Sequence, residues 1–466
     1  MTEVVTVVDT GVANLASITS GFARLGASVR VTADPALVRG AARVVLPGVG
    51  AFEPAAAVLA ERGLDVAVRD AVARGIPLLA VCLGLQLLCE ASEEAPGVPG
   101  LGIIPGVCRR LPPGVRVPHL GWNRVEPAAE ARFLAVGDAA FANSYGLRDA
   151  PARWTPAWTV HGVRFVAGLE RGNLLACQFH PELSGGYGAA LLARWLGRPV
   201  VSVAMEQRPA GLLPRIVACL DVRDGRVVKG VRFQDLRDVG DPAERAACYE
   251  AQGADEIVVL DVTASAEARD TQVETVRRVR AAIRVPLTVG GGVRSVADAR
   301  RLLAAGADKV SVNTAAVRRP AVLGELAAAF GRQCVVLAID ARRTAGGVEG
   351  GGGWEALVEG GRTGGRPDAV TWAAEGEARG AGEILLTSWD ADGTRAGPDL
   401  QLLGAVVGAV RVPVIASGGV GTCDHVVDAF SAGAAAVLAA SVLHDGTETV
   451  AALKAELAAR GIALRR

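Results

Sequence analysis

GADEIVVLDV at residues 253–262 and GAGEILLTSW at 380–389 are one stretch met twice at a fixed offset of 127 (253 to 380). Gly253, Ala254, Glu256 and Ile257 recur as Gly380, Ala381, Glu383 and Ile384, and RVP at 284–286 recurs at 411–413. Gly291, Gly292 and Val293 recur as Gly418, Gly419 and Val420, and Gly306 and Ala307 as Gly433 and Ala434. Self-similarity at one period is the mark of a duplicated structural unit. From Arg215 onward there are eight apolar, strand-like runs, each followed by a helical one: RIVACLDV, EIVVLDV, PLTVGG, KVSVNT, CVVLAIDA, EILLTSWD, PVIASGG and AVLAASV. Eight β/α units in about 250 residues predict a (β/α)8 TIM barrel, built here from two half-barrels.

Upstream, VVTVVD, ARVVLPG, IPLLAVC and NLLACQFHP alternate with Ala/Leu-rich helical stretches, which predicts a separate α/β domain over 1–196. GRPVVSVAMEQRPAGLL has Pro, Gly and no sustained period, so 197–213 reads as a linker and 214–466 as the barrel. The 466 residues are half apolar, enough for two cores and against disorder. Basic and acidic residues balance at 49 each with no basic stripe, which argues against nucleic acid. MTEVVTVVDTG runs straight into a strand, without the basic start of a leader, and no apolar run reaches spanning length, so a cytoplasmic protein without membrane contact is expected. Eight scattered cysteines form no CxxC pair, so neither zinc nor a disulfide framework is expected, and no metal or other cofactor.

Each half-barrel carries a Gly-rich turn after a strand, GGGVRS at 290–295 and SGGVGT at 417–422, leading into a helix that opens with Ser295 or Thr422. Such a turn can simply permit tight packing, but free backbone N–H groups at a helix start also cradle phosphate. Its duplication on one barrel face, beside Asn313 and Thr314 and then Ala440 and Ser441, points to a substrate phosphorylated at both ends. Asp221 and Asp340 close the first strands of the two halves, where barrel catalysis is normally placed. Two carboxyls facing across the mouth suit general acid and base work if their pKa values are pushed apart; alternatively they cap the helices that follow. RDGRVVKGVRFQDLRD after Asp221 reads as a lid for an anionic substrate, with Lys229 one of only three lysines. Arg215, Glu256, Lys309 and Glu383 begin strands one, two, four and six, and Arg215 shares strand parity with Asp221. They form either a stabilising salt-bridge ring or a passage.

In the first domain Cys82 of PLLAVCLGLQLL sits between a strand and a helix, an elbow that brings sulfur to a helix N-terminus. His180 and Glu182 of QFHPE, two positions apart on a strand-like run, point to the same side as a base and its orienting carboxylate. PGVG at 47–50 can offer N–H groups to an oxyanion.

Together these segments resemble triad-class (class I) glutamine amidotransferases, and GVANLASI, PGVGAFEPA, CLGLQLL, GLGIIPG, VPHLGWN and QFHPE more narrowly resemble the glutaminase partner of imidazole glycerol phosphate synthases. ACLDVRDGRVVKG, LDVTAS, TVGGGVRS, GADKVSVNTAAV, AIDA, GAGEILLTSWDADGT and ASGGVG resemble the cyclase of the same family over nearly the whole barrel. The resemblance implies that Cys82 attacks glutamine to form a thioester while His180 protonates the leaving ammonia. It implies glutamine contacts or oxyanion donors at Gly48, Val49, Gly50, Gln86 and Asn143. In the barrel it implies a bis-phosphorylated phosphoribulosyl-formimino aminoimidazole carboxamide ribonucleotide, acid and base roles for Asp221 and Asp340, and an ammonia gate at Arg215, Glu256, Lys309 and Glu383. Substrate contacts are expected from Lys229, Gly291, Gly292, Asn313, Thr314, Asp390, Ser417, Gly418, Gly419 and Ser441. With both activities on one chain, a monomer suffices. Departures from the family pattern are Ala80 for glycine, Asn143 for histidine and Leu183 for a lysine that pairs with the aspartate matching Asp308. Two other readings stand beside this one. The barrel resembles the sister phosphoribosyl isomerase of the pathway, and an ammonia-dependent cyclase would leave the first domain as a non-catalytic binding module.

Overall fold

In a computed structural model the chain is described over residues 4–465, except 12–13, 201–209, 232–233, 263–272, 345–352, 362 and 367. Most of the expected linker, and parts of GVANLASI and LDVTAS, therefore lie outside the described residues. Two compact units part between Leu212 and Leu213.

The first unit is a mixed nine-stranded sheet. Its parallel half runs Ser28–Thr32, Val4–Val8, Arg43–Leu46, Leu78–Val81 and Leu174–Cys177, and Val163–Arg171, Thr155–His161, His119–Pro127 and Gly137–Asn143 extend it antiparallel. Period-two alternation divides its central strands between two cores. Val44, Leu46, Leu78 and Ala80 face one, and Val5, Val7, Val45, Leu79 and Val81 face the other. Strands covered on both faces read as continuous apolar runs, which is why VVTVV and LLAV are legible as strands.

The second unit closes on itself. Its eight parallel strands are Arg215–Arg223, Glu256–Asp261, Leu287–Gly290, Lys309–Val312, Val335–Arg343, Glu383–Ser388, Val414–Ser417 and Ala436–Ala439, and the last pairs with the first. Inward positions fall into layers. Val217, Cys219, Val258, Val336, Leu385, Ile415, Ala436 and Leu438 form the apolar middle. Below it, Arg215 donates to Glu256 at 2.7 Å and to Glu383, and Lys309 reaches Glu256 at 2.6 Å and Glu383 at 2.5 Å. All four are buried. Burial alone would lower the Arg215 pKa, but the two glutamates outweigh it and raise it; for Glu383 burial pulls upward and Arg215 and Lys309 win, holding it low. Val217 and Cys219 lie at alternate positions between Arg215 and Asp221, so the expected shared inward parity is present. Asp308 is engaged within the barrel, accepting from Arg280 Nη1 and from Leu287 N, each at 2.8 Å. No described helix is long and apolar enough to cross a membrane.

Removing one member of a buried ion cluster strands the others in low dielectric. Arg215→Ala should therefore cost the barrel about 3–5 kcal/mol. Thermal or urea unfolding of the intact chain measures this, and a loss under about 1 kcal/mol would show that water replaces the guanidinium freely.

Candidate functional site

In the first unit the strand Leu78–Val81 meets the helix Leu83–Leu88 at Cys82, which is held at φ 52°, ψ −107°. A non-glycine residue at positive φ is strained, and here the strain lifts the thiol out at the elbow. Cys82 N donates to Cys177 O at 2.7 Å, tying the elbow to the strand that leads to His180. That strand ends at Cys177, so the strand-parity expectation for His180 and Glu182 is corrected. Pro181 cannot continue a sheet, and Pro181–Leu183 form a 3-10 turn instead. The turn still delivers the contact: His180 Nδ1 lies 2.9 Å from Glu182 Oε1, and both residues are buried. Burial would lower the His180 pKa, but Cys82 and Glu182, each through charge and a hydrogen bond, raise it well above the ordinary histidine value. Ser184 braces the turn, its hydroxyl donating to His180 O at 2.5 Å and accepting from Ala140 N at 3.0 Å.

Pro47–Gly50 packs against this elbow. A Cβ at Gly48 would lie 2.2 Å from Gly84 N, and one at Gly84 would lie 2.1 Å from Leu46 O, so both glycines are required by close approach. Leu83 N donates to Gly48 O at 3.3 Å. The N–H following the nucleophile, the usual oxyanion donor, is thus capped by a carbonyl in this state. Gln86 is buried and donates to Tyr145 O at 3.1 Å and to Gln178 Oε1 at 3.3 Å, while Gln178 Nε2 lies 3.6 Å from Cys82 Sγ. Gln178 opens QFHPE, and nothing in the spacing of that run signals this contact. Asn143 donates to Tyr145 O at 3.0 Å, and His119, whose Nε2 lies 3.0 Å from Asn123 Nδ2, stacks its ring on His161 at 4.4 Å. Burial, then His161, holds the His119 pKa well below the ordinary value. Position 143 is buried one residue from Ala142, whose carbonyl lies 3.9 Å from Cys82 Sγ. Glu94, another residue the sequence did not flag, accepts a bond from the Phe52 backbone just beyond Gly50, and burial raises it to about 7.

In the barrel a cavity of about 400 Å³ is lined by Asp221, Asp340, Gly291, Gly292, Asn313, Thr314, Ser417 and Ala440. Asp221 and Asp340 are not pushed apart as the acid and base reading required. Burial first, and then the charge of Asp392, lifts each to about 7, with Asp340 adding to the rise at Asp221. Asn313 donates to Asp340 Oδ2 at 3.0 Å and pulls the other way, and Cys219 Sγ lies 3.7 Å from Asp221 Oδ1. Asp390 is exposed, accepts from Arg343 N at 2.8 Å and is not among the cavity residues; Asp392, two positions on, lines the cavity. The repeat could not choose between them, because at the fixed offset they align with Thr263 and Ser265, neither of them a carboxylate.

The two Gly-rich turns have one geometry. Gly291 and Gly292 have φ 92° and 70°, Gly418 and Gly419 have 90° and 83°, and Ser295 and Thr422 cap the helices Val296–Ala305 and Cys423–Ser431. Gly291 and Gly292 line the cavity. At the second turn Gly397 N donates to Gly419 O at 2.8 Å, and the Gly397 backbone leaves no room for a Cβ there. Ser441 opens a short helix beside this second turn, and Lys229 pairs with Asp445 rather than lining the cavity.

The Asp392 charge raises both Asp221 and Asp340, and Asp392→Asn should lower both. The pH profile of ammonia-supported turnover should then move to lower pH on each limb, and an unmoved profile would leave Asp392 without electrostatic influence on the pair.

Residues 6–196 match the sequence family described as glutamine amidotransferase class-I, and residues 215–449 match that described as histidine biosynthesis protein. Imidazole glycerol phosphate synthase subunit HisF from each of two strains of Mycobacterium tuberculosis is 58% identical over 256 residues, covering 55% of this chain and 96% of the relative. The Cys82 elbow and the His180–Glu182 pair fall within the first matched stretch, and the aspartates of the barrel mouth within the second. The chain belongs to the imidazole glycerol phosphate synthase family of histidine biosynthesis, with an amidotransferase domain and a cyclase barrel on one polypeptide.

Proposed function

We propose that the first unit hydrolyses glutamine and the barrel consumes the ammonia, converting a bis-phosphorylated phosphoribulosyl-formimino aminoimidazole carboxamide ribonucleotide to imidazole glycerol phosphate and aminoimidazole carboxamide ribonucleotide. The observation that carries this reading is the Cys82, His180 and Glu182 arrangement in a chain whose barrel has paired aspartates between two Gly-rich turns. Cys82 sulfur adds to the glutamine amide carbon, and His180, held protonated, delivers its proton to the departing nitrogen. Water then cleaves the thioester to glutamate and restores the thiol. Ammonia enters the barrel at the Arg215, Glu256, Lys309 and Glu383 end and reaches the opposite mouth, where Asp221 and Asp340 move protons during ring closure. Carboxyls poised near 7 are suited to both giving and taking a proton at neutral pH. The eight cysteines are free thiols, in keeping with a cytoplasmic protein.

Cys82→Ala should abolish glutamine-supported turnover, a loss on the order of ten-thousandfold, and spare ammonia-supported turnover. Asp221→Asn and Asp340→Asn should abolish both while substrate still binds. Equal losses with the two nitrogen sources in Cys82→Ala would sink the two-site reading.

The Gly48 carbonyl on Leu83 N implies an idle glutaminase. Rotating the peptide between Gly48 and Val49 would free the Leu83 N–H and present that of Val49 to the oxyanion. Basal glutamine hydrolysis should therefore be slow and rise at least about tenfold with a cyclase ligand, roughly 1.4 kcal/mol of coupling. Full-speed hydrolysis without ligand would remove any regulatory role from that hydrogen bond.

A further inference from the structure

Beyond the catalytic groups, one carboxylate gathers an unusual amount of charge. Asp445, directly after the short helix Ser441–His444, is paired with Lys229, Arg237 and Arg395. Lys229 and Arg237 lie on the strands Arg226–Val231 and Gln234–Gly240 that follow the first barrel strand, and Arg395 lies in the loop after the sixth. Lys229 Nζ and Arg395 Nη2 also reach Ser441 O, at 3.5 and 3.4 Å. Arg395 crosses the second Gly-rich turn, since a Cβ at Gly421 would lie 2.6 Å from Arg395 O. Three segments thus bring three cations to one anion beside the second Gly-rich turn. Near the first turn the described pairs include Asp298 with Arg301 at 2.8 Å and with Arg294 at 3.7 Å, Arg318 with Glu359, and Arg319 with Glu325.

We propose that Asp445 is an internal competitor for the substrate's terminal phosphoryl group at the second turn, holding the cations that its oxygens would take and setting how tightly that end binds. This rests on the cyclase reading of the barrel. One carboxylate among three cations leaves a surplus of positive charge, which suits a dianionic phosphoryl group better than a singly charged one. The hydrogen bond from Lys229 and the charges around it keep Asp445 below the ordinary carboxylate range, against partial burial, so it is ionised at neutral pH. A substrate phosphoryl group arriving at the turn must share or displace it. Asp445 is a positioning and selectivity residue, because its effect passes through Lys229, Arg237 and Arg395.

The test uses inorganic phosphate as probe, titrated calorimetrically into the intact chain free of substrate. Asp445→Asn should tighten one class of phosphate sites about tenfold and leave a second class unchanged, and Asp445→Glu should match the native chain. In ammonia-supported turnover, Asp445→Asn should lower KM for the bis-phosphorylated substrate while kcat stays within about twofold. Unchanged or weaker phosphate binding in Asp445→Asn, or a raised KM, would make Asp445 a clamp that assembles the site and would overturn the competitor role. The titration needs no turnover, so a chain that fails to make product counts against the cyclase reading and leaves the competitor to be judged by phosphate alone.

Discussion

Everything in the barrel depends on the alternation of side chains along strands that have closed into a ring. A strand that sends Val217 and Cys219 inward must also send Arg215 inward at one end and Asp221 at the other. Closure then brings Glu256, Lys309 and Glu383 from separate strands around Arg215, and Asp340 and Asp392 around the opposite mouth. One geometric rule therefore fixes two polar layers with an apolar layer between them. The lower layer survives burial because two cations meet two anions. In the upper layer burial and the charge of Asp392 lift Asp221 and Asp340 to about 7.

The fold was legible because its signals were redundant. All eight barrel strands were readable as apolar runs, and the duplication fixed the pairing of the halves before any contact was known. In the site, the strand-start charges and the strand-end aspartates were legible for the same reason. What escaped lies where periodicity stops. His180 and Glu182 meet through a 3-10 turn that Pro181 imposes, so the contact was inferred from a parity that does not apply. Asp392 and Asp445 lie in loops, where spacing says nothing about direction. Gln178 reaches the elbow through a contact with Cys82, far from it in sequence.

The duplicated Gly-rich turns show one backbone geometry carried by two sequences, GGGVRS and SGGVGT. Their backbone angles agree because glycine at positive φ serves the same close approach in each: Asp261 O stands beside Gly291 as Ser388 O does beside Gly418. At the second turn the loop after the sixth strand packs over Gly419 and Gly421. Symmetry fixes where an anion can be held, and the loops decide on what terms.

The carbonyl of Gly48 against Leu83 N has a consequence for ligand design. A glutamine aldehyde would add to Cys82 and carry an oxygen anion that wants the N–H this carbonyl already occupies. Such a transition-state mimic would bind the resting protein only as tightly as the fraction of molecules with the turned peptide allows. Its apparent affinity is therefore a direct reading of that population, and a compound that grips the capped arrangement would silence the glutaminase without entering either substrate pocket.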